Sequence, residues 1–139
     1  MKRKVLSHLV TYFSSLLNGF LPAIIWFLIV FVLLFTPGRD LPKMDDWTEK
    51  IKLDKLVHMA IFGIMAFLFM IPVSRKKLSL DSKTNYLIII CILVCIWGLL
   101  SEFIQRYWIV GRSFDMLDFA ADSIGGIVAF FFTKKHLKV

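Results

Sequence analysis

Cysteine is scarce in this 139-residue chain: its 2 copies, Cys91 and Cys95, lie together in "IIICILVCIW" with no further soft ligand nearby. Sharing one helix face, they read as buried small hydrophobes rather than as a disulfide or a soft-metal site. Sharp catalytic signatures are missing as well. There is no His-Glu-x-x-His, no Gly-x-Ser-x-Gly and no Walker loop, so nothing points to zincin, α/β-hydrolase or P-loop chemistry. Internal repeats and low-complexity linkers are absent, which removes the inverted-repeat signal of a transporter. Acid is short too, with 10 Asp and Glu against 17 Lys and Arg.

What the chain has instead is oil. Hydrophobic residues make up 58% of it, where a soluble domain is nearer half apolar, and the mean hydropathy is +0.75. The excess is concentrated in runs. A spanning helix needs about 20 mostly apolar residues, and candidate spans fall at residues 20–36, 55–73, 85–103 and 114–133. The expected fold is therefore all-α: one polytopic membrane domain over residues 1–139, with four transmembrane helices. Ahead of the first span, Leu6, Leu9, Val10, Phe13, Leu16 and Leu17 recur at helical spacing, as in an amphipathic helix lying at the interface. The charged start at Lys2, Arg3 and Lys4 resembles that of a signal peptide, but no small-residue cleavage site follows, so the first span reads as retained.

Basic residues set the orientation. With both termini cytoplasmic, the inside holds Lys2, Arg3, Lys4, Arg75, Lys76, Lys77, Lys83, Lys134, Lys135 and Lys138 against a single acid, Asp81. The formal charge of +7 then belongs to a rim facing anionic lipid headgroups and gives no reason to expect nucleic acid. The loop at residues 37–54 is outside; its stretch 45–53 is expected to form a short helix, with Trp47 as an interfacial anchor.

Ionisable residues within the spans, and Gln105 with them, gather at the outer end. Asp54 and His58 open the second span, Glu102, Gln105 and Arg106 close the third, and Arg112, Asp115, Asp118 and Asp122 lead into the fourth. The inner halves, "IMAFLFMIPV" and "IGGIVAFFF", carry none. An ionised Asp at a helix centre costs roughly 2.5–3.5 kcal/mol on insertion scales, so these acids are expected to face the bundle interior. Of the basic partners Arg112, Arg106, Lys55 and protonated His58, Arg112 is expected to bridge the carboxylates with its fork of donors. Ala121, Gly125 and Ala129, spaced by four, make a strip that permits close helix crossing.

Three segments, "DKLVHMAIF" at 54–62, "SEFIQ" at 101–105 and "GRSFDMLDFAADSIGG" at 111–126, together resemble the VanZ-like membrane proteins, a family named for a protein of a glycopeptide-resistance cluster. The resemblance runs from Asp54 to the end of the chain. It implies that the polar residues Asp54, His58, Glu102, Gln105, Arg112, Asp115, Asp118 and Asp122 form one set, and it implies a place in the cell envelope. Family members commonly carry Asn where this chain has Asp122, which adds a buried negative charge here. The stretch "RYWIV" also lacks the proline that often precedes the Arg.

Three functions stay open on these residues. One is an outward-facing pocket for an anionic membrane lipid or a lipid-linked cell-wall intermediate, held by Arg112 with Arg106 or Lys55. A second is a metal-assisted enzyme acting on lipid headgroups, with His58, Glu102, Asp118 and Asp122 as candidate ligands of a divalent cation. The third is a buried polar network that only fixes helix register.

Overall fold

The computed structural model describes residues 2–37 and 53–136, with side chains described from Gly19 onward in the first segment. The expected helix at 45–53 and its anchor Trp47 lie outside the described residues, save Leu53, which opens a helix. All described regular structure is helical: α1 (Lys2–Phe35), α2 (Leu53–Ser74), α3 (Leu80–Trp108) and α4 (Met116–His136). Three of these, α2, α3 and α4, are long and apolar enough to cross a membrane, and Gly19–Phe35 of α1 is a shorter apolar stretch. The backbone of α1 runs as one helix from Lys2 to Phe35; the side chains on which the interfacial reading rests are outside the described set.

The surface is apolar like the core, unlike that of a water-soluble bundle, and the core also holds polar groups. Leu28, Val32, Leu93, Val128 and Phe131 are exposed, whereas Ser101, Glu102, Gln105, Asp122 and Thr133 are buried. Apolar side chains face outward on every helix, as hydrocarbon contact requires, and polar ones face inward where partners exist.

Helix ends explain where the expected spans are off. Ser79 caps α3, its hydroxyl accepting the Ser82 N–H at 3.2 Å, so this helix starts five residues before the apolar run does. At 29 residues α3 is about 43 Å long, more than a hydrocarbon core of ~30 Å, and both its ends are polar. Gly111, at φ 79°, takes the left-handed conformation that reverses the chain after α3. Asp115 then caps α4, its Oδ1 accepting the Leu117 N–H at 2.8 Å. The last helix thus begins at Met116, two residues later than expected. Asp118 lies about 3 Å and Asp122 about 9 Å along its axis from Met116.

α2 packs against all three other helices, and its contact with α4 is the most extensive. The two run parallel and meet at glycine. A Cβ on Gly125 would run into the Met59 carbonyl oxygen and come within 2.9 Å of the Gly63 nitrogen; one on Gly63 would sit 3.2 Å from the Gly125 carbonyl oxygen. The expected small-residue strip is therefore at a crossing, and Gly63 completes it from the other side. Further in, Phe67 and Phe132 stack edge to face at 5.5 Å. The apolar core continues through Val30, Phe62, Met65, Met70 and Leu87. Gly125→Ala should lower stability by about 1–3 kcal/mol, the usual cost of overpacking a fixed backbone contact. Thermal unfolding in detergent measures this, and an unchanged midpoint would contradict the crossing described here.

Candidate functional site

Parallel packing of α2 on α4 brings Lys55 beside Asp118 and His58 beside Asp122. The Lys55 ammonium donates to Asp118 Oδ1 at 2.7 Å and Asp115 Oδ2 at 2.5 Å, and pairs with Asp54 Oδ2 at 2.8 Å. One cation thus joins three carboxylates. One turn deeper, His58 Nδ1 and Asp122 Oδ1 share a hydrogen bond at 3.0 Å, and His58 Nε2 lies 4.0 Å from Asp118 Oδ1.

Side-chain exposure grades with depth, from 48% at Asp54 and 38% at Asp115 to 17% at Lys55 and 16% at Asp118, then 12% at His58 and 0% at Asp122. The set is therefore a rim leading to a closed floor. Glu102, fully buried, joins the floor from α3. Its Oε2 accepts the backbone N–H of Asp115 at 2.9 Å, so a side chain of α3 satisfies the residue that caps α4. Gln105, one turn on, donates from Nε2 to the Leu34 carbonyl at 3.0 Å, satisfying the last turn of α1.

Two expectations need correction. Arg112 makes no ion pair with Asp115, Asp118, Asp122 or Glu102; Lys55 has that place. The reason is position: Lys55 sits on the helix packed along α4, whereas Arg112 sits in the turn that reverses the chain before it. Likewise the candidate ligands His58, Glu102, Asp118 and Asp122 do not fall in one group. Asp54 belongs with Asp115 and Asp118 around Lys55, while His58 belongs with Glu102 and Asp122. Of the four expected metal ligands, Asp118 falls in the Lys55 group and the other three stay together.

The sequence reading placed Lys55 only among the alternative cations, and it missed Gly98. Lys55 carried a readable signal, since it precedes His58 by three and shares its helix face. Gly98 carried none. A Cβ there would lie 3.0 Å from both Cβ and Oδ2 of Asp122, so this glycine makes the space in which the carboxylate sits. Cys91 and Cys95 are free and half-buried, apart from the polar set. A cavity of about 200 Å³ among Phe27, Met65, Leu93 and Trp97, and a groove of about 360 Å³ over Gly63 and Gly125, are both apolar and include no member of that set.

Compared with family models, with curated proteins and with solved structures, the chain matches none of them.

Asp115 lies ahead of α4 in the turn that follows α3. The Lys55 ammonium that donates to it, and the Leu117 N–H that it caps, hold its carboxyl below the ordinary Asp value of 3.8. A folded-state value below the unfolded one means that this group stabilises the fold above pH 3.8 and loses that contribution as pH falls through the lowered value. The thermal midpoint should drop on acidification below about pH 4, and Asp115→Asn should flatten that drop. Lys55→Met should cost about 1–3 kcal/mol, between the small worth of exposed pairs and the 3–5 kcal/mol of fully buried ones, because the rim is wetted. Chemical or thermal unfolding of the two variants checks both, and a Lys55→Met protein as stable as the parent would remove Lys55 as the hub.

Proposed function

We infer that the chain is a VanZ-like protein of the cell membrane with four spans and both termini cytoplasmic. Its outer end takes an anionic envelope lipid, or a lipid-linked cell-wall precursor, by the headgroup. The observation that carries this reading is the state of Arg112. Lys55 is consumed by three carboxylates, whereas Arg112 stands outside that set, and its buried Nε has no hydrogen-bond partner among the described residues. A buried donor without an acceptor is costly, and a phosphate or carboxylate headgroup supplies the acceptor that a guanidinium fork fits best.

The surroundings agree in kind. Tyr107 and Trp108 are exposed on the last turn of α3, Arg106 lies 5.8 Å from the Tyr107 ring centroid, and aromatic and basic residues belong at headgroup depth. The basic residues at the opposite ends of α2 and α4 support the orientation, and the resemblance in residues 54–126 supports the envelope setting and a link to glycopeptide susceptibility. A purely structural role is the better reading for Gln105 alone, because its amide is committed to the end of α1.

Native mass spectrometry of the protein extracted gently from its own membranes tests the reading. Wild type should carry a defined anionic lipid adduct that Arg112→Ala loses and Arg112→Lys partly keeps. An identical adduct pattern in wild type and Arg112→Ala would exclude it.

A further inference from the structure

We propose that His58, Glu102 and Asp122 form a binding site for one divalent transition-metal ion, of the class of Zn²⁺ or Mn²⁺, tying α2, α3 and α4 together at the floor of the polar set. The proposal stands apart from the lipid reading and does not depend on it.

The two acidic groups differ in how their charge is met. Asp54, Asp115 and Asp118 surround an ammonium, so that group has its cation built in. The deeper group has no such partner. His58, Glu102 and Asp122 each offer a ligand atom within 4.8 Å of the other two. Asp122 and Glu102 are both fully buried, and each has one carboxylate oxygen, Oδ2 and Oε1, with no hydrogen-bond partner among the described residues. Buried polar atoms are ordinarily satisfied, and two orphan oxygens in a single triad call for one shared positive species.

A divalent ion fits on charge and on donor type. Two carboxylates with a neutral imidazole carry two negative charges, and a divalent ion cancels both. One nitrogen and two oxygen donors suit Zn²⁺ or Mn²⁺, whereas Mg²⁺ and Ca²⁺ prefer oxygen alone. The ligand atoms would draw in toward bonds of about 2.0–2.2 Å, with His58 exchanging its hydrogen bond to Asp122 for the metal. The remaining contacts are already those of an oriented site: Glu102 is fixed through Oε2 by the Asp115 N–H, and Gly98 leaves room beside Asp122 Oδ2. His58 also stacks on Phe62, with ring centroids 6.4 Å apart and planes 8° from parallel.

The full chain, purified in mild detergent and stripped with chelator, is titrated with Zn²⁺ and separately with Mn²⁺. Bound metal is counted by elemental analysis after desalting, and the thermal midpoint is followed alongside. One of the two ions should be retained at about one per chain and raise the midpoint, and excess Mg²⁺ should not displace it. Asp122→Asn should weaken retention by about a hundredfold, while Asp54→Asn at the rim keeps it. If Asp122→Asn does not accumulate as a folded protein, Glu102→Gln or His58→Gln takes its place. Failure of wild type to retain either ion overturns the proposal and leaves the triad satisfied by protons. Equal retention by wild type and the triad variants overturns it too, by placing the metal elsewhere. Loss of the lipid adduct in Arg112→Ala bears on neither result.

Discussion

The contact on which the rest of the structure depends is the backbone crossing of α2 and α4 at Gly63 and Gly125. Two parallel helices approach this closely only where neither carries a side chain at the crossing. Once they do, the register of the pair is fixed, and the polar contacts between them follow from it. Lys55 arrives at Asp118, His58 arrives at Asp122, and beyond the crossing Phe67 meets Phe132. In hydrocarbon there is little hydrophobic gain from helix association, so close van der Waals approach and satisfied polar groups have to supply the stability. Both are present on the same pair of helices.

The second organising demand comes from helix ends. Each end leaves backbone groups without intrahelical partners, and at the edge of a membrane water satisfies them incompletely. Glu102 and Gln105, three apart on α3, divide this work: one receives the amide that starts α4, the other donates to a carbonyl that finishes α1. The Glu-x-x-Gln spacing thereby links three helices through main-chain atoms. Asp115 has two duties at the same point, capping α4 with one oxygen and receiving Lys55 with the other. Fold and candidate site therefore share residues, and a substitution at Glu102 or Asp115 alters both at once.

Much of this was legible in the sequence. Long apolar runs gave three helices of spanning length, and the small-residue strip in the last of them marked a close crossing. The gathering of ionisable residues at one end was plain from their positions alone. Span limits were displaced because caps, not hydropathy, end these helices: Ser79 extends α3 backward into polar sequence, and Asp115 delays α4. The choice of cation failed for a tertiary reason. Lys55 at the start of an apolar run looks like an ordinary flanking residue until α2 is known to lie along α4, and Arg112 looks closer to the acids only because it is closer in number. Gly98 was invisible for the same reason, since its partner Asp122 belongs to another helix. The short outer helix expected over residues 45–53 is not among the elements described.

The distribution of charge between α2 and α4 has a consequence for how the protein is made. The apolar window of α4 has a hydropathy of 1.5, against 2.3 for α2 and 2.7 for α3. It is the weakest insertion signal of the three, because Asp118 and Asp122 interrupt it and each carboxylate adds a few kcal/mol against entry into lipid. The helix that bears Lys55 and His58 precedes α4 along the chain and leaves the ribosome first. The counter-charges that α4 needs, and the glycine at which it crosses, are thus both carried by a helix already made when α4 emerges. The polar set that marks the candidate site also offsets the charge of the least hydrophobic of the three long helices.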